Sequence, residues 1–190
     1  MIFFQQIVVL AVVITLLLYG AWIIVPILYG LPWVPTQKER IRKALEMAEI
    51  HPGDVVYDLG AGDGRVLLTA IKDFGAARGV GIEISPAHCM LGRIRARLEG
   101  IRPKVQMRCE NLFNAEIRDA DVVFLYLNSG HVARLQSHLE EQLKPGARVV
   151  SIAFDFPDWQ PSAFDKIRLI FVYRMPPEPG GLTAFLVKKG

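Results

Sequence analysis

The sequence predicts an α/β fold: a mostly parallel seven-stranded sheet with a C-terminal antiparallel hairpin, preceded by one N-terminal transmembrane helix. Three observations carry this. Residues 1–37 hold no charged side chain, and 7–31 are almost entirely apolar. From Val55 onward, short apolar runs alternate with helical stretches across short turns, the pattern of parallel strands joined by right-handed crossovers. The last two strand-like runs, 166–175 and 182–188, are joined only by Pro176-Pro177-Glu178-Pro179-Gly180-Gly181. That link is too short for a crossover, so the two should pair antiparallel.

Taken in order, the apolar run exceeds the roughly 20 residues a helix needs to cross a bilayer core. No Lys or Arg precedes it, and it is longer than the apolar region of a cleaved signal peptide. A retained anchor over 1–32 and one domain over 33–190 are expected. Lys38, Arg40, Arg42 and Lys43 follow the span against Glu39 alone, which predicts a single-pass protein whose domain faces the cytoplasm; in a eukaryote the membrane would be mitochondrial. Pro32 and Pro35 end the span, since proline cannot continue a helix. Thr36 offers an N-cap and Glu39 completes a capping box for a helix to about Glu49. His51-Pro52-Gly53-Asp54 is a turn. Strand 55–59, helix 64–74, strand 79–84, helix 86–99, strand 104–109, strand 121–127, helix 130–143 and strand 147–154 follow.

The first strand runs into Asp58-Leu59-Gly60-Ala61-Gly62-Asp63-Gly64-Arg65. Three glycines at alternate positions let the chain turn sharply and bring bare backbone against a ligand at the strand's carboxyl end. The spacing is not that of the dinucleotide fingerprint, and Asp58 would repel a pyrophosphate but welcome an ammonium group. S-adenosyl-L-methionine, which carries an ammonium and no phosphate, is the expected cofactor. Gly60, Ala61, Gly62, Asp63 and Gly64 would shape its methionine site with Asp58. Glu83 closes the second strand 19 residues after Gly64, where a carboxylate can accept from both ribose hydroxyls. An ordinary surface glutamate is the competing reading. After the third strand, where methyltransferases usually carry an acidic residue that accepts from the adenine amino group, the similar position here is Asn111, whose amide oxygen would accept instead, and Leu112 would flank the ring or simply pack. Trp33 and Thr36 would close over the cofactor.

The acceptor should lie beyond the fourth and fifth strands. Tyr126 and Asp155 are the candidate catalytic residues there, an aromatic face and an acid suited to an ammonium-bearing side chain before it loses its proton. Core packing at strand ends is the alternative for both. His51, His88, His131 and His138 have no metal-ligand spacing, so no metal is expected. Cys89 and Cys109 read as free thiols. A net charge of +3 does not demand nucleic acid. Arg93, Arg95 and Arg97 fall at alternate positions and so spread around a helix.

These residues resemble a known family. Trp33-Val34-Pro35-Thr36, Asp58-x-Gly60-x-Gly62-Asp63-Gly64-Arg65, Glu83, Ala147-Arg148-Val149-Val150 and Phe154-x-Phe156-Pro157-x-Trp159-x-Pro161 are similar to segments of the mitochondrial protein-lysine methyltransferases of ATP synthase subunit c and the adenine nucleotide translocase, and of their prokaryotic relatives. The resemblance implies a Rossmann-like class I methyltransferase fold and methyl transfer to a lysine of a protein in or near the lipid bilayer. Asn111 stands where the family tends to have Asp, and Asn128-Ser129-Gly130 replaces a segment that often holds proline. Two other readings stay open: a small lipophilic acceptor such as a quinone precursor or lipid, and a non-catalytic cofactor-binding membrane scaffold.

Overall fold

The structure, a computed structural model, describes residues 2–28 and 36–189; Trp33 and both prolines of the expected stop lie outside them. The chain divides into two compact units, Met1–Val34 and Pro35–Gly190. The first is helix α1, Ile2–Leu28. Its window Phe3–Gly20 has a mean hydropathy of 2.2 and no share buried within the protein. At 27 residues and about 1.5 Å per residue it is long enough to cross a bilayer. The Thr15 hydroxyl donates to the Ala11 carbonyl at 2.8 Å, so that polar group is satisfied within the helix.

In the second unit, α2 (Lys38–Met47) leads to β1 (Val55–Leu59), α3 (Arg65–Phe74), β2 (Arg78–Glu83) and α4 (Pro86–Leu98). Then come β3 (Val105–Cys109), β4 (Val122–Leu125), α5 (Ser129–Gln142) and β5 (Arg148–Ile152). The chain ends with β6 (Trp159–Gln160), β7 (Ala163–Asp165), β8 (Ile170–Arg174), β9 (Glu178–Pro179) and α6 (Gly181–Lys189). The main sheet has seven strands in the order β3-β2-β1-β4-β5-β8-β7. Strands β1 to β5 pair in parallel, and β8 pairs antiparallel with both β5 and β7. The Rossmann-like methyltransferase fold and its antiparallel finish are therefore present. Strands β4 and β5 are buried along their whole length, as runs covered on both faces must be. Val56, Phe124, Val150 and Val172 of the sheet form one core cluster with Ile41 and Leu45 of α2 and Leu67 of α3.

Three local expectations change. The run 182–188 is helical, not a strand. Gly181 and Phe185 are buried four residues apart while Leu186 and Val187 are exposed, a helical spacing that a short apolar run does not reveal beforehand. The antiparallel hairpin is instead β7 with β8, because 166–169 turns, the Asp165 carboxylate accepting from the Ile167 and Arg168 amides at 2.9 Å each. Thr36 does not cap α2; Gln37 is the N-cap and makes no side-chain capping bond.

Arg148 staples α2 to the sheet. From β5 it donates to the Ala48 carbonyl at 3.0 Å and the Glu49 carbonyl at 3.2 Å, and pairs with the buried Asp54 carboxylate. Arg148→Ala leaves Asp54 without its countercharge and is expected to lower stability by about 3–5 kcal/mol, measured by urea denaturation.

Candidate active site

Strands β1, β2, β4 and β5 leave the sheet at one edge, and the chain order reverses between β1 and β4. Open α/β sheets bind ligands in the crevice this switch creates. The turn after β1 occupies it. Gly60, Gly62 and Gly64 have φ of 95°, 51° and 76°, all in the left-handed region that side chains resist. The Gly60 and Ala61 amides donate to the Ile82 carbonyl at 2.9 and 3.0 Å, which ties the turn to the end of β2. The Gly62 amide donates to Glu83 Oε2 at 2.8 Å and the Ser85 amide to Glu83 Oε1 at 2.8 Å. Glu83 is thus held in place by backbone donors from both turns, with further lone pairs on each oxygen.

Asp58 is the least compensated group at this edge. Only 3% of it is exposed, and the charged groups that act on it, Glu83 and Asp63, are both acids. Burial first, then the negative charges of Glu83 and Asp63, push its carboxyl well above the usual range. Asp63 is the opposite case. Burial alone would raise its carboxyl, but the hydrogen bonds and charge of Arg65, joined by the charge of Arg95, hold it below the ordinary value. Arg65 Nη2 and Arg95 Nη1 lie 2.7 and 2.6 Å from Asp63 Oδ2. The negative charge left over at the turn is that of Asp58 and Glu83. A cation beside Asp58 and a diol before Glu83 suit this edge, and a polyphosphate does not.

Thr36 is buried, and its carbonyl accepts from Arg65 Nη1 at 3.2 Å. The segment entering the domain is thereby bound to the guanidinium that neutralises Asp63. Sequence reasoning missed this clamp of Arg65, Arg95 and Thr36; an arginine immediately after the glycine turn was the available signal. Trp33 lies outside the described residues. Asn111 follows β3, exposed, with its Oδ1 accepting from the Phe113 amide at 3.1 Å; its oxygen caps a short 3₁₀ turn. Leu112 is buried. Beside it the Phe113 ring stacks on His131 at 5.5 Å and carries the Arg134 guanidinium at 4.0 Å.

Tyr126 and Asp155 follow β4 and β5, which run parallel with Leu125 opposite Ser151, so both emerge at the edge that bears Asp58. Tyr126 is half-buried, with the Arg40 guanidinium 5.4 Å from its ring centre. Asp155 is half-buried, and its charge, after burial, helps to push the Tyr173 phenol up. Tyr173 Oη accepts from the Phe156 amide at 3.0 Å, which fixes the turn carrying Asp155. Phe156 and Trp159 stack at 4.1 Å inside the core; they hold the turn and do not line it. Trp159→Ala is expected to lower stability by about 3–5 kcal/mol, read as a fall in thermal midpoint.

The chain is similar to several known proteins. The family described as the ANTKMT methyltransferase domain matches residues 58–163. The protein-lysine N-methyltransferase of Saccharolobus islandicus is 37% identical over 136 residues, covering 72% of this chain and 84% of that protein. The adenine nucleotide translocase lysine N-methyltransferase of Mus musculus is 33% identical over 139 residues, which are 73% of this chain but only 60% of the mouse protein. The crystal structure of an RNA methyltransferase from Salinibacter ruber in complex with S-adenosyl-L-homocysteine superposes with a TM-score of 0.74 at 40% identity, covering 76% of this chain and 95% of that one.

Proposed function

This chain belongs to the ANTKMT methyltransferase domain family and uses S-adenosyl-L-methionine, and from that premise we propose that it methylates lysine side chains of a protein in or at a membrane. The observation that carries the cofactor assignment is the buried Asp58 beside the glycine turn, whose charged neighbours are acids. In this reading Asp58 faces the cationic end of the cofactor, and Gly60, Ala61, Gly62, Asp63 and Gly64 form the floor beneath its methionine part. Glu83 takes the ribose hydroxyls. Leu112 packs beside the adenine, and Asn111 accepts from its amino group with the second lone pair of the oxygen that caps Phe113. Trp33 and Thr36 close the entry side, with Thr36 anchored through Arg65.

The bound cofactor supplies an activated methyl group whose sulfur departs as a neutral thioether. The protein must present a neutral amine in line with it, so positioning and exclusion of water carry most of the rate. Asp155 attracts the incoming ammonium and Tyr126 offers it a π face. Asp155→Asn is expected to raise KM for the acceptor about tenfold with little change in cofactor affinity, measured by steady-state kinetics.

The lysine acceptor is supported by the names of the Saccharolobus and mouse relatives, and the membrane by α1. Anchored in the same bilayer as its target, the domain would meet it at high effective concentration; α1 would cross once over 1–32, with the domain from 33–190 in the cytoplasm. The name of the Salinibacter structure favours a second reading, an RNA acceptor. One experiment separates them. Full-length protein in vesicles receives methyl-labelled cofactor and membranes from cells lacking the gene. Label that is removed by protease and recovered as methyl-lysine supports the proposal. Label removed by ribonuclease supports the RNA reading, and label in the lipid extract supports a small lipophilic acceptor. A chain that binds cofactor and labels nothing is the scaffold.

A further inference from the structure

Helix α4 is built inside out. Its inward face is made of small or polar residues, with His88, Cys89, Gly92 and Ala96 buried. Gly92 is required by close packing, since a Cβ there would stand 2.9 Å from Met107 Cε and 3.0 Å from Sδ. The large apolar side chains point the other way: Met90, Leu91, Ile94 and Leu98 are 63%, 37%, 48% and 82% exposed. Positions 90, 94 and 98 repeat every four residues, with 91 beside them, so they form one continuous ridge. An ordinary amphipathic surface helix buries such a ridge.

The helix also carries charge of one sign. The sequence PAHCMLGRIRARL contains three arginines and no acid. Arg95 is matched by Asp63. Arg93 and Arg97 are exposed and flank the ridge on one side. Arg93 donates to the Met107 carbonyl at 2.7 Å, which positions its charge without cancelling it. Arg102 and Lys104 continue the basic rim in the turn after the helix. Glu99, at the helix end, is engaged by Lys72.

An apolar ridge with a basic rim matches the interface of an anionic bilayer, where buried side chains and headgroup charge act together. A second copy docking about a twofold axis would bring this ridge, and with it Arg93 and Arg97, against the same residues of its partner. We propose that α4 is a membrane-surface docking helix, lying with Met90, Ile94 and Leu98 in the headgroup boundary of an anionic leaflet. Its N-terminus at Ser85 adjoins Glu83, so docking α4 sets the orientation of the cofactor edge to the lipid surface. The inference deepens the membrane reading of α1 and rests on it.

The test uses the full chain with a nitroxide at Leu98→Cys, in a Cys109→Ser background, reconstituted in vesicles. The readout is the ratio of oxygen to nickel-chelate collisions, with a label at exposed Glu116→Cys as the aqueous reference. In vesicles of roughly one-third phosphatidylglycerol the ratio at 98 is expected to exceed the reference at least threefold. It should fall back in pure phosphatidylcholine, and in the Arg97→Glu/Arg102→Glu variant. Cofactor binding should stay within about twofold in that variant, which shows that the domain is folded. An aqueous label at 98 in both vesicle types, in a chain that floats with the vesicles, overturns the docking alone. So does a buried label indifferent to lipid charge, or spin–spin broadening from a second copy. A chain that does not float with vesicles overturns the membrane reading itself.

Discussion

Glu83→Ala is expected to weaken S-adenosyl-L-methionine binding by about 100-fold or more, measured by calorimetry. The carboxylate accepts from the Gly62 and Ser85 amides at 2.8 Å each, so its removal frees two backbone donors and releases both turns of the cofactor edge. Hydrogen bonds to a charged group are worth about 1.5–3 kcal/mol each, and every 1.4 kcal/mol is about tenfold in affinity. The affinity lost is that of the proposed ribose contacts, because the Gly62 and Ser85 bonds are already made in the free protein. Glu83→Gln keeps one acceptor oxygen and should fall between the two. If Glu83→Ala binds as tightly as the unmodified chain, the cofactor lies elsewhere.

Asp58→Asn should act in opposite directions on stability and binding. Burying an ionised carboxylate among other acids is unfavourable, so the neutral amide is expected to stabilise the free protein by about 1–3 kcal/mol. The same change removes the negative charge proposed to face the cofactor's cationic end, and affinity should fall about 10- to 100-fold. The pH dependence follows from the sign of the shift. Asp58 has a folded pKa raised above its unfolded one, by burial and by Glu83 and Asp63. Its contribution to stability is therefore fully present below the unfolded carboxylate pKa and is lost as pH rises through the folded pKa. Cofactor affinity should rise across that same interval in the unmodified protein, because the cation favours the ionised form. Both dependences should flatten in Asp58→Asn. An affinity insensitive to this substitution would remove Asp58 from the site.

Much of this was legible in the sequence because it is local. Strands β1, β4 and β5 announce themselves as short apolar runs, and the turn between β1 and α3 by glycines that only a left-handed backbone requires. Glu83 stands out in the sequence because it sits at a fixed distance along one crossover from that turn. The harder elements were those whose identity depends on what packs against them. The run 182–188 carries apolar residues compatible with either period, and its contact with β6 decides for α6. Thr36 looked like a cap by its neighbours in sequence, but the Arg65 guanidinium claims its carbonyl. Asn111 also caps its own turn, which leaves one lone pair of its oxygen for another donor.

Sequence alone determined the sheet, the bare-backbone turn and the two acids that flank it, since each follows from covalent geometry and from patterns a few residues long. Only the tertiary structure decided which charges are neutralised. Asp63 and Asp58 are five residues apart and chemically identical, yet one meets two arginines and the other meets none. It also decided which face of α4 turns outward, because Gly92 over Met107 draws the small side of that helix to the sheet. Ionisation and exposure depend on groups distant along the chain, and those meet only when the fold closes.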